Sequence, residues 1–200
     1  MRSHPAPRRT AAAPVTACLV FLLACSAGGH EDAPVPAGVP LGARVTLDGL
    51  SFQPPAAWKA QPPSSGMRLA QYAIDPAPGD TEAAECALFH FPGQGGSVQA
   101  NLDRWFGQFG QPDGSPSSDR AVVEKTQAGG LPVTYVDVSG TYTGSMSGMG
   151  APSGPKPGYR MAAGVVEAER GPWFMKCTGP EGTMEGVAPG LKALLATVRP

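Results

Sequence analysis

Two stretches of the chain repeat one apolar spacing. Val98, Leu102, Trp105, Phe106 and Phe109 fall at relative positions 0, 4, 7, 8 and 11, and Val187, Leu191, Leu194, Leu195 and Val198 fall at the same relative positions. That spacing gathers each set on one side of an α-helix. A helix with a single apolar stripe has to lie on something flat and apolar. The rest of the chain supplies such a surface. Segments 44–52, 67–74, 82–91, 120–127, 131–142, 159–169 and 172–178 alternate or run apolar and read as strands. The turns "AGG" and "ERG" are short enough for hairpins, which makes neighbouring strands antiparallel. The pattern predicts an α+β fold: a mainly antiparallel β-sheet with amphipathic helices packed on it.

Glycine (27) and proline (23) fill a quarter of the 200 residues, which favours many turns and argues against a helical bundle. Glycines gather just before the first helix, in "FPGQGGSVQANLDRWFGQF". The run lacks the Lys-Ser/Thr that completes a phosphate-binding loop and the third glycine of a dinucleotide fingerprint. Ser97 has a simpler role as N-cap, with the glycines turning the chain into the helix. Pro189 interrupts the second apolar stripe, so the last helix either starts there or kinks there.

The N-terminus reads as an address. Arg2, Arg8 and Arg9 precede the apolar run "AAAPVTACLVFLLAC", which is short for a membrane span and has the shape of a signal peptide. Its end, "LLAC", resembles the bacterial lipobox. The resemblance implies lipid attachment at Cys25 and removal of residues 1–24, with several acyl chains giving firm anchorage where one would not. Ser26 follows the cysteine, a pattern that resembles outer-membrane lipoproteins. "PRRT" is a poor twin-arginine signal. Residues 1–24 carry three arginines and no acid, so their removal takes the formal net charge from −1 to −4. A mildly acidic surface suits neither nucleic acid nor anionic lipid, which leaves the anchor as the membrane contact. Residues 25–43 are small and Pro-rich and read as a flexible tether, followed by one α+β domain over 44–200.

Two further motifs carry a family resemblance. The opening "FQPPAAW" and the ending "GPWFMKCTGP", with a turn and a C-terminal amphipathic helix after it, resemble exported proteins of the PsbP-like α/β/α sandwich superfamily. The resemblance spans about residues 44–200. It implies a non-catalytic binding or assembly factor without a shared active site, and a fold of this kind does not fix a function.

Candidate chemistry is sparse. "GSMSG" has Met146 where a nucleophile elbow needs serine. His90 is the only histidine of the predicted domain; strand alternation places it with Cys86 and Leu88, opposite Phe89 and Phe91. A catalytic base needs a nucleophile beside it, and none stands out. Glu82 with Glu85 and Glu167 with Glu169 are acid pairs, expected at strand ends or on solvent faces. One histidine and two cysteines make no zinc pattern. Met146 and Met149 in a loop of small residues form, at most, a weak Cu(I) site. Cys86 and Cys177 lie in predicted strands of an exported chain and are either a disulfide or two buried thiols. The expectation is a lipid-anchored, non-enzymatic envelope module with no cofactor and a protein or small-molecule partner, the stretch 143–158 contributing to its surface. An envelope hydrolase using His90 and a copper binder are the alternatives.

Overall fold

Each strand alternates two sets of side chains, and the structure covers both. A computed structural model describes residues 32–144 and 154–200 together with Met1; the rest of the segment 1–24, Cys25, Met146 and Met149 lie outside the described residues. Ten strands and two helices follow in the order β1 (Val45–Leu47), β2 (Leu50–Phe52), β3 (Lys59–Gln61), β4 (Ala70–Ile74), β5 (Ala84–His90), α1 (Val98–Phe106), β6 (Phe109–Gly110), β7 (Val122–Ala128), β8 (Leu131–Tyr142), β9 (Lys156–Ala168), β10 (Gly171–Pro180) and α2 (Glu181–Ala196). The main sheet has the order β3-β4-β5-β10-β9-β8-β6, with β7 also paired to β8, and its pairings are antiparallel. The fold is α+β, as the pattern predicts.

Alternation sorts the sheet residues onto two cores. Trp173, Met175 and Cys177 of β10, Ala162 and Val166 of β9, and Cys86 and Leu88 of β5 pack with α2. Phe174 of β10, Met161, Ala163 and Val165 of β9, and Val136 and Val138 of β8 pack with α1. The helices therefore lie on opposite faces. Both predicted stripes are inward: Trp105 is 4% exposed and Leu194 is 0% exposed.

Several elements differ from the sequence-based expectation. Segment 44–52 is a hairpin rather than one strand. Asp48 and Gly49 take φ of 40° and 84°, the positive values that a tight Asp-Gly turn demands, and Leu47 pairs with Leu50. The hairpin carries Leu50 and Phe52 into the α2 core, where Trp58 joins them. Helix α1 stops at Phe106, so Phe109 is not helical; it pairs with Tyr142 in β6 and stays buried. Helix α2 begins earlier than expected, at Glu181, and runs through Pro189. Proline there frees the Glu185 carbonyl from its usual bond. Both residues are exposed, so that carbonyl faces solvent and needs no partner in the helix. The start of α2 is held from outside its own sequence. One carboxylate oxygen of Asp80 accepts from the Thr183 N–H and from its hydroxyl, each at 2.6 Å.

Cys86 and Cys177 face each other across β5 and β10, their Cα atoms 3.9 Å apart, and their sulfurs are bonded. Residues 32–43 run along the domain. The Ala33 N–H donates to the Gln127 carbonyl at 2.8 Å, and Leu41 pairs with Pro55.

Two outcomes follow from this packing. Leu194→Ala lowers unfolding stability by about 2–5 kcal/mol and Trp105→Ala by about 3–5 kcal/mol, measured by denaturant unfolding. Because the sheet separates the two sites, the double variant matches the sum within about 0.5 kcal/mol. Non-reducing digestion and mass spectrometry of the exported protein recovers Cys86 and Cys177 as one cross-linked peptide; alkylation of both without reduction counts against the bridge.

Candidate functional site

The α1 face of the sheet is only partly covered. Side chains of β5 and β10 beyond the helix edge line a cavity of 350 Å³ together with the strand-linking segment before β4 and the end of α1. Alternation puts Phe174, Lys176 and Thr178 of β10 on this face, beside Glu85, Ala87 and Phe89 of β5. Lys176 stands directly between Ala87 and Ala163 on the neighbouring strands. Two small neighbours leave the space that the cavity occupies.

The walls are aromatic. Trp105 meets Phe174 edge-on at 6.0 Å, and Phe91 packs against both Phe89 (6.3 Å) and Phe174 (5.9 Å). Phe89 and Phe91 remain half-buried, which leaves ring surface open to the cavity. Polar groups gather at the other side. Glu85 is bound by Arg68 at 2.7 Å and accepts from the Gln71 amide at 2.9 Å. Lys176 donates to the Gln108 side-chain oxygen and lies 5.6 Å from the Tyr142 ring centre. It forms no salt bridge among the described residues. Burial brings its amine down to about 8, and the charges of Arg104 and Arg68 act the same way, against Glu85. The Ser65 hydroxyl oxygen, also on the lining, is shielded and has no hydrogen-bond partner in the described structure.

A second, wider cleft of 810 Å³ lies between α2 and the β7–β8 edge. Several of its charges are paired with one another. Asp137 takes both Arg160 bonds (2.7 and 2.8 Å) and the Tyr135 hydroxyl (2.7 Å), and Glu124 holds Lys192 through both oxygens at 2.8 Å.

The residues singled out by sequence are scattered. His90 lies on the α2 face, 7% exposed, stacked on Trp173 at 4.6 Å, with Nδ1 2.6 Å from the Asp48 carboxylate. Its Nε2 is buried without a partner in the described structure. Glu82 pairs with Lys156 and accepts from the Tyr159 hydroxyl, so it and Glu85 serve separate cations. Ser97 caps α1 as expected, its hydroxyl accepting from the Ala100 N–H at 3.2 Å. The glycine loop is tied down further by Asn101, whose amide donates to the Gly95 and Ser97 carbonyls. Among the described residues, no group of three or more His, Cys, Asp or Glu is placed to hold a metal ion.

Sequence reasoning passed over Lys176. The signal was present in "PWFMKCT": a lone lysine in an apolar strand, two positions from Phe174, belongs to an inward face.

The lowered Lys176 value has a measurable sign. Folded and unfolded chains both hold the proton below pH 8, and there the folded state bears the full cost. Between about 8 and the unfolded value of 10.5 the unfolded chain holds more proton, so stability rises with pH. The groups that face the amine are Glu85 on β5, Arg68 ahead of β4, Arg104 on α1 and Tyr142 on β8. Lys176→Met removes that rise and stabilises the protein at pH 7, by at most about 3 kcal/mol and less where water reaches the amine. Denaturant unfolding of both proteins from pH 6 to 11 checks it.

No family model matches the chain, and no curated protein matches it. Solved structures similar in backbone include the following two. One is PA94, a protein of unknown function from Pseudomonas aeruginosa, at 13% identity and TM-score 0.46, covering 80% of this chain and 97% of its own. The other is LpqN of Mycobacterium tuberculosis, involved in cell envelope biogenesis, at 12% identity and TM-score 0.46, covering 84% and 90%. A likeness this distant carries no functional argument.

Proposed function

We propose that the protein is an exported, lipid-anchored module of the bacterial cell envelope that binds a ligand or partner without transforming it. The observation that carries the reading is the aromatic cavity beside α1, whose polar groups are of the kind that hold a charge. Arg68 and Glu85 hold each other, and Gln108 holds Lys176. The one domain histidine lies through the sheet, on the other face, engaged with Asp48 and Trp173. The layered order of helix, sheet and helix supports the PsbP-like sandwich reading of the two sequence motifs.

The anchor reading rests on "LLAC" and Cys25. No helix among the described residues is long and apolar enough to cross a membrane. Thr143, the first residue of the stretch 143–158, follows Tyr142, which lines the cavity. Thr143 bonds through its N–H (2.8 Å) and hydroxyl (3.1 Å) to the carbonyl of Gln108, the residue that also holds Lys176. A partner meeting Thr143 would touch the cavity mouth as well.

Palmitate labelling in the native host marks the wild-type chain in the membrane fraction. The Cys25→Ala variant loses the label and moves to the soluble fraction; retained labelling would place the attachment elsewhere. Hydrolytic turnover of envelope material by purified protein, abolished in His90→Ala, would replace the binding reading with an enzymatic one.

A further inference from the structure

The cavity beside α1 has a chemistry that narrows what enters it. Its lining includes three cationic side chains, Arg68, Arg104 and Lys176, and one carboxylate, Glu85. Glu85 is already shared between Arg68 and Gln71. Lys176 contacts the neutral Gln108 oxygen and the Tyr142 ring, forms no salt bridge among the described residues, and feels the Glu85 carboxylate only alongside the opposing charges of Arg68 and Arg104. A partly buried ammonium without a counter-charge is costly to keep protonated, and an anion placed beside it removes that cost. The Ser65 hydroxyl adds a shielded group with no protein partner, free to donate to the same anion.

The opposite wall selects the rest of the ligand. Phe89 stacks with Phe91, Phe91 is tilted against Phe174 and Trp105 meets Phe174 edge-on, so that ring faces and edges line one side of the space. Such surfaces favour a flat apolar body, which gains offset or edge-to-face contact. At the rim Met67 stays 60% exposed, an adaptable apolar side chain able to close over such a body. A volume of 350 Å³ is at the small end for ligand pockets.

Resting on the binding-module reading above, we infer that this cavity is a binding site for a small organic anion with a flat apolar body, its acid group against Lys176 and Ser65 and its body against Phe89, Phe91, Trp105 and Phe174. The recognised chemistry is a single carboxylate, sulfonate or phosphate on an aromatic frame. Lys176 supplies charge rather than chemistry, and the alanines at 87 and 163 keep the space beside it open.

The test titrates the purified full-length protein with 2-naphthoate and, separately, with neutral 2-naphthylmethanol, by calorimetry at pH 7. The acid binds saturably and at least tenfold more tightly than the alcohol. Lys176→Met weakens the acid at least tenfold and leaves the alcohol unchanged, while Lys176→Arg keeps the acid within about threefold. Amide shifts on acid binding cluster at Phe89, Trp105 and Lys176, which locates the site without any variant. Equal affinity for acid and alcohol, no saturable acid binding, equal acid binding by the Met variant, or shifts clustered at the α2 cleft would each overturn the inference. Those results leave the Cys25 labelling and the His90→Ala turnover result untouched, so a failed ligand assignment is distinguishable from a failed module reading.

Discussion

Everything in this fold follows from one sheet having two apolar faces. Strands β9 and β10 bury nearly every residue along their centres, so neither face can be left to water. Seven strands side by side span about 30 Å, given a spacing of roughly 4.8 Å. One helix covers a band about 10–12 Å wide. Two helices, one per face, cannot finish the work. On the α2 face the β1–β2 hairpin and Trp58 fill the remainder and seal the core. On the α1 face no such hairpin lies beside the helix among the described residues, and the sheet surface past its edge becomes a cavity. The site is a consequence of unequal covering.

Much of this arrangement is legible in the residues. The helical stripes identified both helices and their buried sides, because an apolar period is a local property. The long central strands were legible for the same reason, and strand 131–142 matches its expected bounds. What was not legible depended on distant partners. The N-terminus of α2 is held by Asp80, a hundred residues earlier in the chain, and nothing near Glu181 announces it. The two-residue strand β6 exists because Phe109 meets Tyr142. The 44–52 hairpin is a different case: its "DG" turn was a local signal, and reading the alternating segment as one strand passed over it.

The cavity was half legible. Its aromatic walls were expected as packing residues, and Trp105 and Phe174 do pack. That the same rings also bound an open space depends on where α1 ends relative to β5, which spacing along one segment cannot supply. Lys176 was visible as an inward lysine, yet its lack of a counter-charge is a three-dimensional fact. Glu85 lies on the adjacent strand and is occupied by Arg68 and Gln71.

Lys176 also separates structural from functional explanations of the cavity. A methionine or leucine at position 176 would suit an inward strand position flanked by alanines and would remove the desolvation cost of the amine. Stability alone therefore argues against lysine there. Residues that lower stability at a shaped, partly open cavity are the ones that a binding role explains. His90 makes the contrast. It too is a titratable group inside the domain, but it is stacked on Trp173 and bonded to Asp48, and it fastens the β1–β2 hairpin to the sheet. One buried base is absorbed by the architecture. The other is left facing a space of molecular size, with its charge unanswered.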